Sequence, residues 1–163
     1  MTATNQLQSL ISQMQTNYEG SPWYGNSFTE IIDGIDSDLA FWEPNPSAHS
    51  IAQLVWHIVY WRQSLIKRLA GDTLYKGSMK SVENWYTKEK LMETGWESIK
   101  FRFANSQHEM VSLLQKQNDS LLEEAYSEKA TFRDLILGIL QHDLYHMGQV
   151  AYLKSIYIKG QVS

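Results

Sequence analysis

Two of the chain's five histidines, His142 and His146, stand four residues apart in the segment Gln141-His142-Asp143-Leu144-Tyr145-His146-Met147-Gly148-Gln149, and the chain has no cysteine. On a helix this spacing projects both imidazoles from one side, one turn apart. At about 100° per residue, Phe132, Leu135, Ile139, Val150 and Leu153 fall within about 40° of His146, and His142 lies about 40° to the other side. Both rings are therefore expected in a core-facing stripe. A buried imidazole needs partners for its nitrogens, since leaving them unpaired costs about 1–3 kcal/mol. A metal ion is one such partner, and neutral imidazole suits zinc, nickel, iron or copper. The best third donor is His57, at the edge of an earlier apolar stripe and beside Trp61. Three neutral histidines would leave the ion's charge uncompensated and coordination positions open, which is the arrangement of a catalytic rather than a structural site. The competing reading makes them hydrogen-bonded core residues.

Other chemistries find no support. The Glu-x-x-His pairs of di-iron bundles are absent, as is the His-Glu-x-x-His pattern of zinc proteases. No Ser-His-Asp or Cys-His arrangement stands out, and no acid is singled out as a proton shuttle, so the catalytic residues are left unassigned. Gln149 and Trp61, one turn from His146 and His57, could line a substrate pocket with Tyr60 and Gln53, although for Trp61 alone ordinary core contact is the favoured reading. His49 is expected in a loop and His108 in solvent. Asp143 is set aside as a partner for His142, because sequence neighbours do not share a helix face.

The elements that must position these residues are helical. Leu7, Leu10, Ile11, Met14 and Tyr18 predict a helix over Thr4 to Tyr18, ended by Gly20, Ser21 and Pro22. A short helix is expected from Phe28 to Ile35 and loop from Asp36 to His49. Ser50-Ile51-Ala52-Gln53 reads as a capping box opening a helix from Ile51 to Leu69. A turn-rich connection follows over 71–87, then a helix from near Lys88 to Gln117 with an interruption at Thr94-Gly95. Thr131 is expected to cap a last helix from Phe132 to about Tyr157. With no period-two strand, these predict an all-α, up-and-down four-helix bundle with a short extra helix after the first. The outer side of the last helix carries Leu137, Gln141, Leu144, Gly148, Ala151 and Ser155, a stripe low in charge with small residues. It is expected to be buried, as a homodimer contact or within the chain.

The chain has 163 residues, a formal charge of −4 and 43% hydrophobic residues, and is read as one domain over 1–163. That size supports a core without staples, and zero cysteines exclude disulfides and thiolate metal sites. The acidic balance argues against a nucleic-acid partner. No apolar run approaches a membrane span, and the first residues lack a leader's apolar stretch, so a soluble, cytoplasmic protein is expected.

Several fragments, in order, resemble those of the DinB-like family of four-helix-bundle metalloproteins, which includes YfiT-type hydrolases and bacillithiol- or mycothiol-dependent transferases. They are Pro22-Trp23-Tyr24-Gly25, His49-Ser50-Ile51-Ala52-Gln53-Leu54-Val55-Trp56-His57-Ile58, Trp61, and Gln141-His142 through His146-Met147-Gly148-Gln149. The resemblance covers most of 22–157, with only general pattern between Gly71 and Thr131. It implies a metal triad at His57, His142 and His146, and thiol transfer or hydrolysis of a small molecule with a low-molecular-weight thiol as co-substrate. The alternative is a non-catalytic, stress-related bundle that binds a metal or small ligand.

Overall fold

The computed structural model describes residues 5–160, so the expected helix start at Thr4 and the outermost ends of the 1–163 domain lie outside the described residues. Four long helices dominate: α1 (Gln6–Glu19), α4 (Ile51–Leu69), α6 (Trp96–Leu114) and α7 (Phe132–Gly160). The capping box at α4 forms as expected, with Ser50 Oγ accepting from the Gln53 N–H and the Gln53 side chain accepting from the Ser50 N–H. The all-α expectation holds, and its details change in four places.

Between α1 and α4 stand two short helices, α2 (Phe28–Ile32) and α3 (Ser37–Phe41), where one helix and a loop were expected. Gly34, with φ +69°, turns the chain between them. Asp36 then starts α3 by accepting the Leu39 N–H. The interruption expected at Thr94-Gly95 falls there and is a complete break, giving α5 (Lys88–Thr94) and α6, because Gly95 holds φ +82°, and what changes is the end, at Leu114 rather than Gln117. A small antiparallel hairpin, β1 (Ala125–Ser127) and β2 (Ala130–Thr131), leads into α7 where no strand was expected. Thr131 does not act as an oxygen cap there. Its N–H and hydroxyl both donate to the Asp134 carboxylate, which reaches back from the first turn.

The fourth change is connectivity. α1 and α4 each lie along both α6 and α7. Trp56 meets Arg102, and six residues on Arg62 meets Phe103 and Ser106, so α4 and α6 run in the same direction. His57 meets His146 while Leu65 shares a cluster with Ile136 and Ile139, so α4 and α7 run oppositely. In an up-and-down bundle α4 and α6 would be antiparallel. Here residues 70–95 form a crossover that travels back along α4, a helix about 28 Å long at about 1.5 Å per residue.

The crossover is tied down rung by rung. Arg68 donates to the Tyr75 carbonyl, Tyr60 to that of Ser78, Trp56 to that of Glu83 and Gln53 to that of Tyr86. Among the described residues no helix is long and apolar enough to cross a membrane.

Candidate metal centre

The antiparallel contact of α4 with α7 brings His57, His142 and His146 together, with one nitrogen from each within 4.8 Å of the others. His57 and His146 are buried and His142 is half-buried at the cluster's margin. His57 Nε2 and His142 Nε2 are 3.1 Å apart.

Outer partners fix which nitrogen of each ring is free. His57 Nδ1 lies 3.1 Å from the carbonyl of Asn84, which can only accept, so Nδ1 carries the hydrogen and Nε2 presents its lone pair. His146 Nδ1 donates in the same way to Gln149 Oε1 at 2.7 Å. Without a cation, the short contact between the two Nε2 atoms requires His142 to donate from Nε2. Among the described residues its buried Nδ1 is then left without a hydrogen-bond partner, 3.8 Å from Asp143 Oδ1, which also has none. Moving that hydrogen to Nδ1, 3.8 Å from the carboxylate oxygen, leaves Nε2 of both His57 and His142 as lone pairs facing each other, with His146 completing the cluster. That donor set fits a divalent cation.

Electrostatics agree with this. Burial, with the two neighbouring imidazoles adding to it, pushes His57 down to about 4, and burial also lowers His146. Both rings are neutral at pH 7, as metal ligands must be.

The crossover supplies one wall. Trp85 stacks on His57 with ring centres 3.8 Å apart and on His49 at 3.9 Å. Trp61 stands edge-on to His57 and His142. The cluster lies between two cavities. A cleft of about 660 Å³ opens beside His146 and is lined by His49, Trp85, Gln149, Tyr145 and Tyr152. A smaller one of about 280 Å³ lies beside His142, lined by Trp61, Ser64, Tyr126, Leu135 and Ile139.

Of the pocket residues expected from the sequence, Gln149 and Trp61 line these cavities and Gln53 and Tyr60 do not. The crossover occupies the latter two: Gln53 closes the α4 cap and donates to Tyr86, while Tyr60 Oη donates to the Ser78 carbonyl and accepts its N–H. His49 and His108 are exposed, as expected, but His49 also forms part of the cleft wall. Trp85 and Asn84 were missed because they belong to a connection whose local sequence does not say where it lies.

Asp143, set aside in the sequence reading, is 4% exposed and paired with fully buried Arg62, Nε to Oδ2 at 2.8 Å. Arg62 Nη1 also donates to the Phe103 carbonyl and to Ser106 Oγ, and the guanidinium lies over the Phe103 ring. The buried stripe of α7 (Ile136, Ile139, Leu140, Asp143, His146, Met147, Val150, Leu153) is centred about 50° from His146 toward Met147. It therefore includes Asp143 and leaves His142 at its rim. A signal was present: Asp143 is seven residues from both Ile136 and Val150, and Arg62 is four from Ile58.

The outer stripe of α7 is not buried within the chain as expected. Gln141 and Gly148 are exposed, and Leu137, Leu144, Ala151 and Ser155 are half-buried. Segment 21–35 covers only part of it, leaving a groove of about 540 Å³ that Tyr24, Phe28, Leu144 and Ala151 help to line.

No curated protein matches the chain. The sequence model of one family, the DinB superfamily, matches residues 25–150.

Proposed function

Because the chain belongs to the DinB superfamily and its three imidazoles converge on one centre, we propose a metal-dependent enzyme that joins a low-molecular-weight thiol to a small electrophile. The observation that carries this reading is the convergence of three imidazoles, two already oriented by Asn84 and Gln149, beside an open cleft. A divalent ion held by His57, His142 and His146 would supply Lewis acidity and lower the pKa of a thiol or water. Zinc, nickel and iron all suit the donor set.

The chain's own residues supply position and surroundings. Neutral rings at His57 and His146 keep the centre receptive to a cation at pH 7. Trp85, stacked on His57, shields that ring from water. The chain has no cysteine, so a sulfur nucleophile must come from the co-substrate. In the overall reaction the thiol loses its proton, the sulfur forms a bond to carbon, and the leaving group departs with the bonding pair. Reduced thiols of this kind are kept in the cytoplasm, where we place the protein. We also assign the outer side of α7 to a homodimer contact, on the strength of exposed Tyr145 and Tyr152, its small residues and the neighbouring, fully exposed Trp23.

Elemental analysis of protein purified without a histidine tag, compared with His57→Ala and His142→Ala, tests the centre. Near one equivalent of metal is expected, lost in both variants, followed by metal-dependent consumption of thiol in the presence of an alkyl halide. Absence of metal after incubation with zinc, nickel or iron would overturn the mechanism. Stoichiometric metal with no turnover of any thiol would leave a metal-binding bundle.

A further inference from the structure

Two of the three clustered imidazoles have their Nδ1 hydrogen on an acceptor outside the cluster, His57 on the Asn84 carbonyl and His146 on Gln149 Oε1. The third does not. His142 Nδ1 is buried with no hydrogen-bond partner among the described residues, and 3.8 Å from it stands Asp143 Oδ1, also buried and also without one. Buried polar groups left unpaired are costly and uncommon. An imidazole N–H and a carboxylate oxygen are complementary, so one bond between them would satisfy both. The gap exceeds a normal length of about 2.9 Å by little enough for a turn of the His142 ring, which lies half-buried at the cluster's margin.

The place of one hydrogen explains why that bond is unmade. His57 Nε2 presents a lone pair, so its 3.1 Å contact with His142 Nε2 puts the His142 hydrogen on Nε2 and leaves Nδ1 as a lone pair, which a carboxylate repels. A cation in the cluster takes the Nε2 lone pair, and the hydrogen then belongs on Nδ1. Asp143 is built to receive it. Its Oδ2 accepts from Arg62 Nε at 2.8 Å, and Arg62, fully buried, is itself fixed by the Phe103 carbonyl, Ser106 Oγ and the face of the Phe103 ring. We propose that Asp143, held by Arg62, is the positioning residue for His142: with a cation in the cluster, His142 donates from Nδ1 to Asp143 Oδ1, which fixes the ring and raises affinity for the ion. This rests on the metal-binding part of the function proposed above and not on thiol transfer.

The test measures zinc affinity at pH 7, by competition with a chromogenic chelator, and the His142 tautomer, by long-range proton–nitrogen correlation NMR of the imidazoles with and without zinc. The double variant Arg62→Met, Asp143→Leu removes the acceptor together with its partner, a replacement that buried pairs often tolerate. Asp143→Asn keeps the shape, but with its single oxygen held by Arg62 it turns an amide N–H toward His142. Gln149→Ala, which removes the acceptor of His146, sets the scale.

The parent is expected to carry the His142 hydrogen on Nε2 when metal-free and on Nδ1 when zinc-loaded. Zinc is expected to bind about 10–100-fold more weakly to the double variant and to Asp143→Asn, as to Gln149→Ala, with the amide spectra of the metal-free proteins otherwise parental. A His142 hydrogen on the same nitrogen in both states of the parent would overturn the proposal. That reading needs no variant, so it decides even where a variant fails to fold. Zinc held at parental affinity by the folded variants would overturn this proposal alone, whereas no uptake of zinc by the parent would overturn it together with the metal-dependent function. Tight zinc and the tautomer change without turnover of any thiol would leave it standing.

Discussion

Arg62 and Asp143 form a buried ion pair in which one carboxylate oxygen and one guanidinium nitrogen lack hydrogen-bond partners among the described residues. Breaking such a pair from one side strands a charge in the core and costs about 3–5 kcal/mol, whereas replacing both members with apolar residues is often close to neutral. Arg62→Met is therefore expected to lose that much in urea unfolding and the double variant Arg62→Met, Asp143→Leu markedly less. Additive losses would show that the two do not act as a pair. His57 governs the response to pH. Its pKa is lowered from 6.5 unfolded to about 4 folded, so as pH falls through this interval the unfolded chain takes up a proton that the folded chain refuses. Metal-free protein should hold its full stability above pH 6.5 and lose up to about 3 kcal/mol by pH 4, with His146 acting in the same direction. His57→Gln should flatten that loss between pH 7 and 5, and an unchanged slope would refute the assignment. His142 and His146 were legible because type and i, i+4 spacing survive without coordinates, and His57 because it stands at the edge of the apolar stripe of α4. Asp143 was not, because the stripe was centred on the histidines themselves and the true centre lies to one side.

At the level of elements, caps and long periodic stripes carried their own signals, and short elements did not. Ser50 with Gln53 announced α4, and Gly20 the end of α1. A five-residue helix such as α3 completes little more than one turn, too short for a period, and only the Asp36 cap marked it. The break between α5 and α6 rests on Gly95, whose φ of +82° and ψ of +143° suit glycine and strain other residues. Gly95→Ala is expected to cost about 1–3 kcal/mol by urea unfolding, through strain alone. A change of a few tenths would mean that α5 and α6 can join without harm.

At the scale of the whole molecule, helix direction was the feature that local pattern could not supply. A stripe reads the same whichever way its neighbour runs, and it takes the contacts of Trp56 with Arg102 and of Arg62 with Phe103 and Ser106 to show that α6 is parallel to α4. The same limit hid Trp85, whose place on His57 depends on that path. The outer face of α7, with Tyr145 and Tyr152 exposed, sets the expected assembly: light scattering should give about twice the 18.9 kDa of one chain, and Tyr152→Glu should return it to one. A single-chain mass for the parent would discard the dimer. The acceptor that orients His57 is the main-chain carbonyl of Asn84, a group every residue type carries. Exchange of one side chain for another at position 84 does not delete it, whereas adding or removing one residue between Ser78 and Tyr86 moves it along the chain by about 3.5 Å. Heritable variation in this segment is thus constrained in length by a backbone acceptor, and in letter only where a side chain itself takes part, as Trp85 does on His57 and buried Asn84 does with the Met79 carbonyl.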